Sequence, residues 1–122
     1  MRERLQAVFA RWRSLNEIAA LSGRDLHDMG MTRHQAEDFA RMPADTTARL
    51  VKMAAIFGLT EAELQAEHNA WLEMVQTCGH CGVRRECAGV LGHAETAHPD
   101  ECGFCPNAAE YADRAAMKAP LD

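Results

Sequence analysis

The sequence predicts an all-α protein, and three observations lead to that prediction. Apolar residues recur at the spacing of an α-helix in several segments, for example at Leu50, Met53, Ala54 and Phe57. Pairs of the form Ser/Thr-x-x-Asp/Glu/Gln, which cap the first turn of a helix, precede such segments, and Gly or Pro follows them. No stretch of useful length alternates apolar and polar residues as a half-buried strand does. We expect a small multi-helix domain in which a cysteine-rich loop near the C-terminus binds a metal or a cluster.

Helices are expected to fill the chain before the cysteines. The first is predicted from the apolar recurrence between Leu5 and Ala19, and Ser22-Gly23 ends it. Four segments follow. The first is capped by Ser22-x-x-Asp25 and closed by Gly30, and the second is capped by Thr32-x-x-Gln35 and stopped by Pro43. The third, at residues 50–57, is closed by Gly58, and the fourth is capped by Thr60-x-x-Glu63 and runs through Val75.

The composition changes after Thr77. All five cysteines and three of the six histidines lie between residues 78 and 106. A short helix that includes Cys87 and ends at Gly92 is predicted there, and residues 93–101 are expected to form an exposed loop. Asn107-x-x-Glu110 predicts the start of a final helix.

Charge is distributed unevenly along the chain. Residues 1–60 carry nine Lys or Arg and seven Asp or Glu, a net charge of +2, whereas residues 61–122 carry four and eleven, a net charge of −7. The acidic second half argues against contact with a nucleic-acid backbone there. We therefore expect a protein partner, and nucleic acid is the less favoured one.

Nothing in the sequence predicts export or membrane insertion. No uncharged apolar run approaches the roughly 20 residues that span a bilayer, and arginines interrupt the N-terminus too often for a signal peptide. We therefore expect a cytoplasmic protein. Thiols stay reduced in that compartment, so clustered cysteines indicate metal binding or redox chemistry rather than structural disulfides.

The motifs of common enzyme classes are missing from the sequence. It has no phosphate-binding loop, no dinucleotide-binding glycine pattern and no nucleophile elbow. A Cys-x-x-Cys pair outside a βαβ pattern is not typical of a thioredoxin-type redox centre. We therefore expect a protein without catalytic activity.

The cysteines allow two tetrathiolate ligand sets. Cys78, Cys81, Cys102 and Cys105 have the spacing C-x2-C-x20-C-x2-C, which approximates a zinc ribbon, but zinc ribbons are built on β-hairpins that the sequence does not predict. Cys78, Cys81, Cys87 and Cys105 have the spacing C-x2-C-x5-C-x17-C. Three close cysteines and a distant Cys-Pro are a recurrent way to hold a [4Fe–4S] cluster. We expect the second set, with Cys102 as a spare thiol.

The same residues resemble two known groups of proteins. CGHCGVRREC followed by FCPNAAEYADRA resembles a family of small bacterial proteins of unknown function, over roughly residues 60–117. That resemblance implies Cys78, Cys81, Cys87 and Cys105 as the ligands. The C-x2-C-x5-C spacing is also similar to the cluster-binding run of oxygen-sensing transcription regulators of the fumarate-and-nitrate-reduction type, which hold a [4Fe–4S] cluster. His80, between the first two cysteines, is expected to face solvent or donate a hydrogen bond.

The N-terminal half resembles another family. NEIAALSGRDLHDMGMTRHQAEDFA, residues 16–40, resembles the small arginine-rich YjiS-like domain, whose pattern it matches at Leu21, Arg24, Leu26, Asp28, Gly30 and Arg33. Members are loosely implicated in RNA-linked regulation. This copy is much less basic, and we expect a compact helical hairpin that serves as an interaction surface. The expected organisation is a YjiS-like helical segment at residues 1–43 and a helical cysteine-motif domain at residues 44–122.

These observations together predict a small iron–sulfur protein of the cytoplasm that acts as a redox- or oxygen-responsive regulatory or sensory module. With a cysteine at each of the four corners of a [4Fe–4S] cluster, no iron is left open to a substrate. The alternative is structural Zn²⁺, bound by the same thiols in an adaptor for protein–protein contact. A nucleic-acid-binding regulator is the third and less favoured interpretation.

Overall fold

The computed structural model describes residues 15–118, and every regular element in that range is helical. After a helical stretch at residues 15–19, the elements are α1 (Gly23–Met29), α2 (Arg33–Arg41), α3 (Thr46–Ile56), α4 (Glu61–Gln65), α5 (His68–Gly79), α6 (Arg84–Leu91), a 3-10 helix (Pro99–Cys102) and α7 (Ala108–Lys118). The all-α class is thus confirmed for the described residues. Most of the first predicted helix, which starts near Leu5, lies outside them. Within residues 15–118, no helix is both long enough and apolar enough to cross a bilayer.

The chain divides into two compact units, one that ends at Pro43 and one that begins at Ala44. In the first unit, the predicted caps start both helices. Ser22 accepts a hydrogen bond from the N–H of Asp25, Thr32 accepts one from the N–H of Gln35, and each of those N3 side chains returns a bond to the cap residue. Gly30, in the left-handed region at φ 70°, ends α1. The boundaries of α1 and α2 are therefore set by local hydrogen bonding.

Arg33 fastens α2 to the chain that precedes α1. Its Nη1 donates to the Ile18 carbonyl at 2.8 Å and its Nη2 donates to the Leu21 carbonyl at 2.6 Å. A guanidinium carries several N–H donors in a fixed fork, so one arginine can bond two neighbouring carbonyls at once. This arginine therefore has a structural task in the first unit.

The second unit is organised around α3. This helix packs against α5 and α6, and α5 also packs against α4. Its apolar face is almost wholly buried, with Leu50 and Ala54 at 0% exposure and Met53 at 2%. Gly58, in the left-handed region at φ 87°, ends the turn that follows α3. The core of this unit thus lies between α3 and the helices α5 and α6, which carry Cys78 and Cys87.

The prediction of one helix from the Thr60 cap through Val75 is wrong, because the chain breaks there into α4 and α5. Thr60 and Glu63 form the expected capping box, but Glu67 accepts a hydrogen bond from the N–H of Ala70 at 2.7 Å and starts a second helix. A side chain that caps a new helix competes with continuation of the old one.

Residues 93–101 are more ordered than the predicted loop. The Nε2 of His93 lies 3.1 Å from Oε1 of Glu101, and Oε2 of Glu101 accepts from the N–H of His98 at 2.7 Å. The 3-10 helix follows, and it contacts both α6 and α7. This segment therefore leads Cys102 back to the core.

Candidate functional site

The five cysteines come from three segments of the second unit. Cys78 lies in the last turn of α5, and Cys81 follows in a turn closed by its N–H to the Cys78 carbonyl at 3.3 Å. Cys87 lies in α6, Cys102 ends the 3-10 helix, and Cys105 occupies the turn before α7. All five are free thiols; Cys87 and Cys102 are buried and the other three are half-buried.

The three segments meet, because Asn107 beside Cys105 donates to the Met74 carbonyl of α5 and the 3-10 helix contacts both α6 and α7. Their thiols also act on one another electrostatically. Burial raises the pKa of Cys78 to about 11; the charge of Arg49 opposes the rise, and the charges of Cys81, Cys105 and Cys87 add to it. Burial also raises the pKa of Cys87 and of Cys105, and the charge of Cys81 adds to both. Charges act in this way only over short distances. The four predicted ligands therefore form one group of thiols, here called the thiol cluster (Cys78, Cys81, Cys87 and Cys105).

Cys102 is buried close to the thiol cluster. It is 0% exposed, and its thiol donates to the His98 carbonyl at 3.8 Å. Burial raises its pKa, and the charge of Cys105 adds to the rise. The fifth thiol is thus a neighbour of the cluster and part of the packed core.

Arg49 of α3 brings a positive charge to the thiol cluster. Its side chain is 11% exposed, and all three of its nitrogen atoms are buried without a hydrogen-bond partner. Burial by itself lowers the pKa of Arg49, but the charge of Cys78, the nearby Cys81 thiol and the charge of Asp45 outweigh burial, so the pKa is raised. The Cys81 thiol is therefore close to the guanidinium, although their contact lacks hydrogen-bond geometry.

Asp45 joins Arg49 to the cysteine-bearing loop. Its Oδ2 lies 3.4 Å from Nε of Arg49, and its Oδ1 lies 3.2 Å from Nη2 of Arg84. Arg84 stands midway between Cys81 and Cys87 in the sequence. The carboxylate is 53% exposed, so each of these ion pairs is weak. Together they hold the loop over the start of α3.

Residues of α3 and α7 lie next to the thiol cluster. The Cys78 thiol donates to the Thr46 carbonyl at 3.7 Å. Tyr111 of α7 is 1% exposed, and its ring centroid lies 5.4 Å from that of Phe57. Burial raises the pKa of Tyr111, and the charges of Cys105 and Cys78 add to the rise. The phenol is therefore packed beside the thiols.

Asn107 attaches the start of α7 to α5. Its buried side-chain amide donates to the Met74 carbonyl at 3.0 Å, one turn before Cys78. The backbone N–H groups of Asn107 and Ala108 lie near the Cys105 thiol and oppose the rise of its pKa, and the N–H of Ala108 donates to the Cys105 carbonyl at 3.0 Å. Cys105 therefore lies at the N-terminal end of a helix, where a negative charge is favoured.

Among residues 15–118, no group of three or more His, Cys, Asp or Glu side chains stands in the arrangement of a metal-ion site. The raised pKa values of Cys78, Cys87 and Cys105 mean that these thiols are protonated at neutral pH. A thiol must lose its proton before it becomes a ligand, so loading would change the site. The residues fit a thiolate-bound group in their chemistry, because three of the four thiols adjoin a buried cation whose N–H donors have no hydrogen-bond acceptor.

Three histidines lie among the cysteines in the sequence: His80, His93 and His98. His80 is exposed and caps the C-terminus of α5, with its N–H donating to the Gln76 carbonyl at 3.1 Å. His93 and His98 both interact with Glu101. These contacts assign the latter two histidines to the ordering of the segment before Cys102.

Arg49 is the residue that sequence interpretation missed. It falls at helical spacing with Thr46 and Met53, both buried on the face of α3 that meets the core. A charged residue in register with core positions is a recognisable signal, because buried charges are retained only with partners. Its relation to the cysteines could not be read from that register.

Residues 1–37 match the family model of the YjiS-like domain. The match covers less than a third of the chain and ends before the second unit begins. No curated protein and no solved structure shows significant similarity to the chain. The resemblance of the N-terminal half to YjiS-like domains is thus confirmed, while the resemblance of the cysteine-bearing half to a bacterial family stays a prediction.

Proposed function

We propose that the second unit binds a [4Fe–4S] cluster through Cys78, Cys81, Cys87 and Cys105 and works as a redox-responsive regulatory module. The observation that carries this proposal is the proximity of these four thiols, which come from three segments, with the buried guanidinium of Arg49 beside Cys78, Cys81 and Cys87. A tetrathiolate centre is negatively charged as a whole, and a buried cation with unused N–H donors is complementary to it. The C-x2-C-x5-C spacing with a distant Cys-Pro favours a cluster over a single ion.

The regulatory role is supported by how the ligands are distributed. The end of α5, the body of α6 and the turn before α7 each supply at least one of them. At its other end, α7 is held by Lys118, whose Nζ donates to the Gly58 carbonyl at 2.8 Å and to Glu63 at 2.7 Å. A bound cluster supplies one-electron chemistry, and its ligation through Cys105 would add to the Asn107 hydrogen bond that already holds the start of α7. Loading would therefore change the order of α7, which links metal state to shape.

The test is metal analysis of the full chain purified without oxygen. A broad visible absorption with about four irons and four sulfides per chain would support the proposal. A colourless protein with about one zinc per chain would replace it with a structural zinc site in an adaptor protein. A chain that holds neither iron nor zinc, even after reconstitution with ferrous iron and sulfide, would refute both. With the cluster present, controlled exposure to air then asks whether its loss releases α7, read as faster amide exchange at residues 108–118.

A further inference from the structure

We propose that Arg49 is the positioning residue of this centre: its guanidinium donates hydrogen bonds to the cysteine sulfurs when they act as ligands, and its charge makes the loaded site easier to reduce. This inference rests on the proposed function, and it assigns to one residue the control of that site's redox behaviour.

The first step is the rigidity of the position. Arg49 lies in the first turn of α3, next to Leu50 at 0% exposure and one turn before Met53 at 2%. The backbone carbonyl of Thr46, one turn earlier in α3, accepts a hydrogen bond from the Cys78 thiol at 3.7 Å. The backbone that carries the guanidinium is therefore held against the segment that carries the first predicted ligand.

The second step is the state of the guanidinium itself. Nε, Nη1 and Nη2 are all buried and without a hydrogen-bond partner, and Asp45 is an ion-pair partner on one edge only, at 3.4 Å. An arginine carries five N–H donors, and buried donors without acceptors destabilise a fold. Asp45 also forms an ion pair with Arg84 at 3.2 Å, so its negative charge is shared between the two arginines. The structure thus contains a buried cation whose N–H donors have no hydrogen-bond acceptor.

The third step is what would satisfy those donors. The thiols of Cys78, Cys81 and Cys87 adjoin the guanidinium, and thiolate sulfurs accept hydrogen bonds from N–H groups. Hydrogen bonds and positive charge near ligand sulfurs are among the factors that set the potential of an iron–sulfur centre. Reduction adds negative charge to the centre, so a neighbouring cation stabilises the reduced form. Removing Arg49 should therefore make the centre harder to reduce.

The experiment compares Arg49→Met with Arg85→Met in the full chain. Both changes remove one positive charge near the cysteine loop, but Arg85 is exposed and serves as the matched control. With Zn²⁺ alone as the probe, measured by competition with a chelator, Arg49→Met should weaken binding by about 10- to 100-fold. Arg85→Met should leave it unchanged, and Arg49→Lys should recover part of the loss because it keeps the charge. In protein loaded with the cluster, the reduction potential should move to more negative values in Arg49→Met and stay in place in Arg85→Met.

Thermal unfolding of the metal-free protein separates this role from a merely structural one. Arg49→Met removes a buried cation with unsatisfied donors while Asp45 keeps Arg84, so its unfolding midpoint should rise by about 4 °C or more. A lower midpoint in metal-free protein, or equal Zn²⁺ affinities for Arg49→Met and wild type, would overturn the inference. The proposed function fails if the wild type does not take up a cluster. This inference fails if the wild type binds Zn²⁺ and Arg49→Met binds it with the same affinity. A wild type that binds neither would overturn both.

Discussion

Replacing Cys87 by alanine tests the ligand set, and Cys102→Ala is its matched control. The two thiols are similarly enclosed, at 7% and 0% exposure. Only Cys87 belongs to the proposed set, so the two variants differ in metal binding while sharing the loss of one buried sulfur.

The two effects differ enough in size to be separated. Removing one buried sulfur costs about 1 kcal/mol in packing, and Cys102, the more buried residue, loses at least as much as Cys87. Structural tetrahedral metal sites contribute about 10–16 kcal/mol, which divided among four ligands is about 2.5–4 kcal/mol for each thiolate. At about 1.4 kcal/mol for each factor of ten, that loss weakens binding by roughly two to three orders of magnitude.

The assay measures iron and sulfide content, Zn²⁺ affinity and unfolding with and without chelator for both variants. Cys102→Ala should keep the metal content of the wild type and lose the same small stability in both states. Cys87→Ala should lose the cluster and the chelator-sensitive part of its stability. Full metal content in Cys87→Ala would refute the ligand set. If Cys102→Ala lost the metal instead, the set with Cys102 in place of Cys87 would take its place.

Three further changes test the fold. Lys118 at 2.7 Å and the Thr60 backbone N–H lower the pKa of Glu63 from 4.5 to about 2. A lowered folded-state pKa means that this carboxylate stabilises the protein above pH 4.5 and stops doing so as the pH falls to about 2. Glu63→Gln should therefore flatten the pH dependence of denaturant stability in that window, and an unchanged slope would contradict the assignment. Gly58→Ala should cost about 1 kcal/mol in denaturant unfolding, because φ is 87° while the added Cβ meets nothing within 4 Å; unchanged stability would show that this backbone carries no strain. Thr32→Ala should cost about 1 kcal/mol and speed amide exchange at the start of α2, whereas Thr32→Ser should retain the cap; equal exchange in both variants would count against the capping role.

Local chemistry explains why much of the architecture could be predicted. The caps at Ser22, Thr32 and Thr60 form as their sequence patterns predict, because a cap joins atoms only three residues apart. Gly30 and Gly58 take the left-handed backbone that ends a helix for the same local reason. The break before α5 was missed because Glu67 is an uncommon capping residue, and its competing hydrogen bond is not part of a familiar pattern.

The candidate site also has a part that could be predicted from the sequence and a part that could not. The group of four thiols was predicted from spacing, since Cys78, Cys81 and Cys87 lie within ten residues and their approach needs one turn and one short helix. The place of Arg49 depends on how α3 packs against α5 and α6, helices that begin about twenty or more residues later in the chain. Side-chain neighbours across such distances are set by the packing of apolar faces, here Leu50 and Met53 against the core, and not by any short pattern. The sequence alone therefore predicts which thiols act as ligands, and tertiary packing decided that a buried cation without hydrogen-bond acceptors stands beside them.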